Sequence, residues 1–490
     1  MLLFSEYLKE LLQAKRMTIS ALSRLSGVER TAISKALAGQ RVLPYDALNA
    51  LICHLRLTPG EEKRFRSYYD AQFEKEGIRR SREVVGKLFS DLARLDFSRP
   101  AFEETTLLLS LEQYAGERSV FSGMTNVRPL LRMAISEELA RPDPRIEMII
   151  PPSDTLIHDE LLGRYLNGAI EAKVSQIITF DASGTEEEIN LHNLAAFCRI
   201  LPVCLLSGRN YHPYYYYEND VSERYSDPFP YFLVTGSSVV CLSGDGEHAM
   251  LLRREDQIAC YHRHFQMLLS RCYELIQYTS DPLEILSAYQ RCTELDGFYM
   301  AMDQPCFGRF YSDELIRTYL RGELPFFEDI LAAACSRFAQ LRQVKKFYTL
   351  FSESGLKRFM EEGTLDDYPV SVVTPFQKKD RIRLMKMLAE AVRSGDVTGR
   401  LLPQGIFPDY LSMCTSEHLG VGFFTTERFP LSEGVCSVQI QERGLCRAFH
   451  RWLVHLPESG RIMSAEETAC VLEALAAERS FSPEKTAKND

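Results

Sequence analysis

The sequence has no run approaching eighteen consecutive apolar residues, so it offers nothing to cross a bilayer as a helix. Its apolar opening, MLLF, meets Ser5, Glu6 and Lys9 at once rather than a long hydrophobic region and a cleavage site. The reading is a cytoplasmic protein with no membrane partner. Thirteen cysteines are scattered singly from Cys53 to Cys470, and no C-x-x-C pair meets a second pair or histidines at ligand spacing. No metal site is expected, and the cysteines read as small buried hydrophobes in a reducing compartment. There is no glycine-rich loop ending in Gly-Lys-Ser or Gly-Lys-Thr, no H-E-x-x-H and no G-x-S-x-G. The phosphate-binding loop, zinc-peptidase and nucleophile-elbow chemistries are therefore unsupported, no catalytic residue or cofactor is implied, and no effector-binding residue is identified.

What is present is an ordinary soluble balance. The 490 residues are 45% hydrophobic and 25% charged, enough for more than one core and for two to four domains. The formal charge of -10 is unevenly spread: residues 1–82 carry 15 basic against 9 acidic side chains, and the remainder 42 against 58. A cationic head on an acidic body suits a duplex-facing module whose bulk avoids tight non-specific association.

The head resolves into short amphipathic segments. Leu3, Phe4, Tyr7, Leu8, Leu11 and Leu12 form one stripe on a first helix ending near Arg16. Thr18 is placed to cap a second helix with Ala21, Leu22 and Leu25 inward, before Ser26-Gly27 interrupts it. Gly27 suits a left-handed turn position, where a side chain would cost roughly 1 kcal/mol. Val28 fills the space before a third helix, Glu29 to Leu37, with Ile33, Ala36 and Leu37 inward. Its other face presents Arg30, Thr31, Ser34 and Lys35: donors for base edges, reach for phosphates and little bulk. Gly39-Gln40-Arg41 closes that helix. Pro44 reads as the first residue of a fourth helix carrying Ala47, Leu48, Leu51 and Ile52 inward. Thr58-Pro59-Gly60-Glu61 is a capping box opening a fifth helix through Phe65, Tyr68 and Tyr69.

The stretch LSRLSGVERTAISKALAGQR, residues 22 to 41, resembles the helix-turn-helix of the lambda repressor and Cro superfamily, the xenobiotic-response-element family. The resemblance implies that the helix from Thr18 to Leu25 braces against the DNA backbone while the helix from Glu29 to Leu37 lies in the major groove. The family's inward signature residues match Leu22, Gly27, Val28 and Ile33. Its base-reading positions match Arg30, Thr31, Ser34 and Lys35, with phosphate contacts implied for Thr18, Gln40 and Arg41. Two residues depart from the family pattern. Ser23 stands where alanine is usual, tolerable if its hydroxyl bonds a carbonyl of the preceding turn. Glu29 stands where serine or threonine commonly caps the reading helix, and its carboxylate would approach phosphates.

The expected fold class is therefore multidomain: an all-α helix-turn-helix head over 1–75, a connecting helical region over 76–115, an α/β domain over 116–281, a helical region over 282–374, a second α/β domain over 375–478 and a disordered tail over 479–490. Val84, Val85, Leu88, Phe89 and Leu92 give the connection helical periodicity. RIEMIIPP and VSQIITFD read as buried strands around the helical DELLGRYLNGAIEA; a third apolar segment, LPVCLLSG, follows a helical run at 189–199. YFLVTGSSVVCLSG reads as a hairpin and MLLRRE as another strand, before helical periodicity resumes through Ile258, Phe265, Leu268 and Leu269. In the middle, PLEILSAYQRC, SDELIRTYLRG, FFEDILAAACSRFAQL and VKKFYTLFSESGLKRFMEEG read as helices. The last region offers short strands at GRLLP, HLGVGFF and VCSVQI and a helix with Phe449, Trp452 and Leu453. In HPYYYYEND, 212–220, four consecutive tyrosines cannot all face one core; packing across a loop, a groove or a subunit contact are the readings. His262 and His264, with Arg253, Arg254 and Arg263, are a candidate for an anionic effector or an ordinary helix surface.

Two internal parallels raise the idea of duplicated α/β lobes, with ordinary amphipathic patterning as the alternative. RPLLRMAISEELARPDPRIEMIIPP from Arg128 resembles IRLMKMLAEAVRSGDVTGRLLPQG from Ile382, and YHRHFQMLL from Tyr261 resembles FHRWLVHL from Phe449. Paired lobes of this kind are similar to phospholipase D-like domains, whose chemistry needs histidine and lysine two residues apart in each half. None of the ten histidines is followed by lysine at that spacing, so the resemblance implies degenerate lobes without that catalysis.

The functional expectation is a sequence-specific, DNA-binding transcriptional regulator rather than an enzyme. Its partners would be double-stranded DNA, a second copy in a homodimer and a small-molecule or peptide effector. The alternatives are an enzyme or a protein-interaction adaptor carrying the same head.

Overall fold

The computed structural model describes residues 4–70, 76–95, 110–151, 156–166, 172–183, 190–218, 227–279, 281–291, 293, 297–429, 437–459 and 462–478. Leu3 and the tail from 479 onward lie outside them. The chain divides into two compact units, Met1–Arg80 with His455–Ile462 and Ser81–Val454 with Met463–Asp490.

Five helices build the first unit's small core: α1 (Phe4–Ala14), α2 (Ile19–Ser26), α3 (Arg30–Leu37), α4 (Tyr45–Leu55) and α5 (Pro59–Asp70). The α1 stripe of Phe4, Tyr7, Leu8, Leu11 and Leu12 is buried, as its spacing requires. It meets Leu22, Ile33, Ala36, Leu48, Leu51, Ile52, Phe65 and Tyr69 in one cluster. Phe65 packs 4.9 Å from the Phe4 ring, and Lys15 pairs with Glu61 at 2.7 Å, so both an apolar and an ionic contact join α5 to the α1 region. The Thr58 and Glu61 capping box is present, with Thr58 N–H donating to Glu61 at 2.8 Å and Glu61 N–H donating to Thr58 Oγ1 at 3.3 Å. Pro44 is a correction. Its ψ of 150° is extended, so it stands just before the helix rather than as its first residue.

Helix α6 (Glu76–Leu92) begins in the first unit and runs from Ser81 onward in the second, and α7 (Leu111–Ala115) follows. The expected connecting helix does more than connect. Phe89 is fully buried against Phe407, Phe423, Phe449 and Trp452.

The body then forms two mixed sheets. The first uses β1 (Val120–Ser122), α8 (Met124–Leu139), β2 (Arg145–Ile149), α9 (Leu156–Leu166), β3 (Lys173–Asp181), α10 (Leu191–Leu206), β4 (Tyr211–Glu218), β5 (Tyr231–Val234), β6 (Val239–Leu242), β7 (His248–Leu252), α11 (Glu255–Leu269) and β8 (Tyr273–Glu274). The second uses β9 (Gln277–Thr279), α12 (Pro282–Arg291), β10 (Gly297–Ala301), α13 (Asp313–Tyr319), α14 (Phe327–Gln343), β11 (Lys346–Ser352), α15 (Glu353–Glu362), α16 (Lys378–Ser394), β12 (Thr398–Leu402), β13 (Leu411–Ser416), β14 (Gly420–Thr425), β15 (Ser437–Ile440) and α17 (Arg443–His455), with α18 (Ala465–Glu478) last.

Their strand orders repeat. The first sheet runs β1-β7-β6-β5-β2-β3-β4-β8, and the second, from its other end, β9-β15-β14-β13-β10-β11-β12. In each, three strands run parallel through helical crossovers, and an antiparallel meander then starts beside the first of them. The meander's last strand pairs with the short strand that opened the lobe, and a helix follows it. Apart from β8 and the additional crossover helices, the two lobes share one topology, which is what a duplication predicts and amphipathic patterning does not.

That repeat corrects one sequence parallel and keeps the other. The counterpart of α8 and β2 is α12 and β10, not α16 and β12, because β12 occupies the place of β4. By contrast, YHRHF in α11 and FHRWL in α17 fall on corresponding helices.

Three element readings change as well. LPVCLL continues α10 to Leu206 instead of forming a strand. The following strand is the tyrosine run itself: β4 pairs in parallel with β3 from Val174 opposite Tyr211 to Asp181 opposite Glu218. Alternation sends Tyr215 and Tyr217 to one side, beside Phe180, and Tyr214 and Tyr216 to the other. Within VKKFYTLFSESGLKRFMEEG, the first half is β11, paired on both edges between β10 and β12 in the second sheet, and only Glu353–Glu362 is helical. Its bulky, β-branched and aromatic residues outweigh the apparent helical spacing once both faces are covered. The middle region is thus mixed α/β, supplying β10 and β11.

Candidate nucleic-acid interface

The site is a short helix pair set at a fixed angle by its turn. Thr18 caps α2, its side-chain oxygen accepting the Ala21 N–H at 3.2 Å. Leu22 is fully buried, but Leu25, expected inward, is 51% exposed in the last turn of α2. Gly27 has φ of +71° and donates its N–H to Ser23 at 3.0 Å. Ser23 does not bond backward along its own helix; its hydroxyl donates to the Val28 carbonyl at 2.7 Å. Ser26 makes the backward bond instead, to Leu22 at 2.7 Å, while also accepting the Val28 N–H at 3.3 Å. Two serines thus pin the turn that aims α3, a role that sequence reading assigned to neither.

Helix α3 starts at Arg30, with Glu29 as its cap residue rather than its first member. Glu29 makes no side-chain cap bond; its carboxylate instead accepts the Thr31 hydroxyl at 3.4 Å, so both stay at the exposed helix start. Ile33 and Ala36 are buried and Leu37 packs at the core margin, which turns the opposite face outward. The far end closes by a left-handed Gly39 (φ +68°): Gly39 N–H reaches Ala36 at 3.0 Å and Gln40 N–H reaches Lys35 at 2.9 Å.

All seven residues expected to touch DNA are exposed: Thr18, Arg30, Thr31, Ser34, Lys35, Gln40 and Arg41. Arg30, Thr31, Ser34 and Lys35 share one face by helical spacing, Thr18 stands at the start of α2, and Gln40 and Arg41 follow the α3 closure. Arg30, Lys35 and Arg41 make no ion pair among the described residues. Exposed cations and hydroxyls on a helix narrow enough for the major groove can both neutralise phosphates and donate to base edges.

Such a braced pair with an outward cationic helix defines a class, the helix-turn-helix DNA-binding domains. Residues 7–61 match the family model of the Cro/C1-type helix-turn-helix DNA-binding domain, so the head of this chain is a domain of that type. Comparison with curated proteins gave no match. Among solved structures, the phosphatidylserine synthase of Haemophilus influenzae Rd KW20 aligns over 76% of this chain and 97% of its own at 9% identity and a TM-score of 0.22, a likeness too slight to bear on the body's fold or chemistry.

The body's other candidate does not assemble as an anion site. His262 Nδ1 lies 2.8 Å from Glu147, Arg254 pairs with Asp256 at 2.6 Å, and Arg253 donates to the Gly116 carbonyl at 2.8 Å. The tyrosine run meets an internal partner, Tyr217 donating to Glu442 at the start of α17. Among the described residues no helix is long and apolar enough to cross a membrane, and no cluster of side chains could hold a metal ion.

Proposed function

We propose that this protein is a sequence-specific transcriptional regulator that binds DNA as a homodimer and whose large body couples pairing to a small-molecule or peptide effector, with no enzymatic activity. The observation that carries the reading is the exposed face of Arg30, Thr31, Ser34 and Lys35, whose two cations make no ion pair among the described residues, on the second helix of the helix-turn-helix in a Cro/C1-type domain. One head buries little interface, so two heads on successive major-groove faces of a roughly palindromic operator, about one helical turn apart, raise affinity by making the second contact intramolecular. The effector role is supported by the size of the body, which DNA contact alone does not require.

The test begins with genomic fragments recovered by immunoprecipitation from the native host, followed by titration of the full chain onto them. Wild type is expected to select a near-palindromic site and Arg30→Ala/Lys35→Ala to lose most of that affinity. Equal binding of random and recovered duplexes would overturn sequence-specific regulation. Operator affinity that no candidate effector changes would remove the sensing role.

A further inference from the structure

The repeated lobes place α11 and α17 at the same point of the same topology, yet their surroundings differ. Aligning YHRHF with FHRWL puts Cys260 at the place of Ala448 and His264 at the place of Trp452. In α17, Ala448 is fully buried and Trp452 is 5% exposed. They lie under a cover made partly by α6, whose Phe89 ring is 4.7 Å from Trp452, and by α10, whose Phe197 ring is 5.8 Å from Phe449. In α11 the inward Phe265 is fully buried, but Cys260 and His264 are exposed and Met267 is 51% exposed. The helix has its seat on the sheet and, among the described residues, no cover like that of α17.

The outward face names what would cover it. Helical spacing sets Asp256, Cys260, Arg263 and Met267 along it, with Ala259 beside Cys260. Arg263 makes no ion pair among the described residues, while Asp256 accepts the Gln257 N–H at 3.0 Å and pairs with the exposed Arg254, a solvated ion pair that exchanges at small cost. Two copies of this helix laid antiparallel bring Asp256 of each opposite Arg263 of the other, twice over. The small Ala259 and Cys260 then fall at the crossing, where close approach needs them. A self-complementary patch is the requirement of a two-fold contact, and here it sits on a body whose overall acidity otherwise repels a second copy.

We propose that α11 is the surface through which two copies of this chain pair, helix against antiparallel helix, with Asp256–Arg263 contacts flanking a Cys260 crossing. The assignment rests on the reading of the chain as a dimeric DNA-binding regulator and names the interface that reading leaves open.

The test uses the full chain. Sedimentation equilibrium should show a dimer whose dissociation constant rises at least tenfold in Asp256→Arg and in Arg263→Asp and returns toward wild type in the double reversal, which a misfolded variant could not do. Independently, a short bis-maleimide should link wild-type copies, and Cys260→Ser should abolish the linked species while Cys53→Ser and Cys470→Ser leave it. A monomeric wild type, a dimer indifferent to both single reversals, or linkage that survives loss of Cys260 overturns the assignment. Duplex titration of the same samples separates the two readings: a chain that binds its site but pairs elsewhere loses only the α11 assignment, whereas one that binds no duplex loses the regulator reading itself.

Discussion

In the head, Arg30, Lys35 and Arg41 stand in solvent with no ion pair among the described residues, whereas in the body Arg358 lies between Asp303 and Asp366 at 2.7 and 2.6 Å, both carboxylates less than a tenth exposed. Arg428 adds to Asp303 at 3.4 Å and reaches Asp409 at 2.7 Å. A buried charge survives only when paired, so these three ions are committed to one another. An exposed cation held by nothing is available to an outside partner. The difference separates charge that maintains the fold from charge that faces a ligand, and it can be attacked from both sides.

The largest effect is expected in the body. Arg358→Ala leaves Asp303 and Asp366 buried without their shared partner and should cost about 3–5 kcal/mol of stability at pH 8, read by urea unfolding. A loss under 1 kcal/mol would show the network to be solvated rather than committed.

Next comes pH. Burial pushes the Asp366 carboxyl up to about 7, Asp303 adding and Arg358 opposing; burial pushes Asp367 up to about 6 against the pull of Arg337. Both lie above the ordinary 3.8 of an unfolded aspartate, so between about pH 4 and 7 the folded chain holds more protons than the unfolded one. Their stabilising contribution is complete below pH 4 and lost as pH rises through 6 and 7. The body should therefore melt at a higher temperature at pH 5.5 than at pH 8, and Asp367→Asn should flatten that difference. A melting temperature that rises across this window would contradict the assignment.

On the head's side, Arg30→Ala should weaken operator binding roughly tenfold and relax base preference at one position, while Arg41→Ala should weaken all duplexes alike and reduce the salt dependence. Neither should move the melting temperature, because neither side chain is used by the fold. The smallest effect belongs to Gly27→Ala. A Cβ there meets nothing within 4 Å, so the cost is the left-handed backbone alone, about 1 kcal/mol.

The head was legible because its order is local. Stripe spacing, the Thr18 cap, Gly27 and the Thr58–Glu61 box each act within a few residues, and each is where the sequence places it. The misreadings there, Leu25, Ser23 and Pro44, turn on one residue's depth or ψ, which depends on where a neighbouring helix stops. The body was less legible because its strands pair far along the chain. Tyr214 to Tyr217 look like a recognition loop until β3 lies beside them, and LPVCLL looks like a strand until α10 is seen to run on to Leu206. The duplication surfaced through YHRHF and FHRWL, but a helix-to-strand pattern as common as that from Arg128 could be laid on the wrong counterpart.

Short-range physics, apolar periodicity, caps and a positive-φ glycine, determined from sequence alone that this chain carries a five-helix, DNA-facing head with Arg30, Thr31, Ser34 and Lys35 outward. Only the tertiary structure decided that the body is one strand order used twice, and that α17 buries Ala448 and Trp452 while α11 leaves Cys260 and His264 exposed. Strand order and helix cover depend on contacts between residues far apart in the chain, and no local spacing encodes which distant surface will arrive.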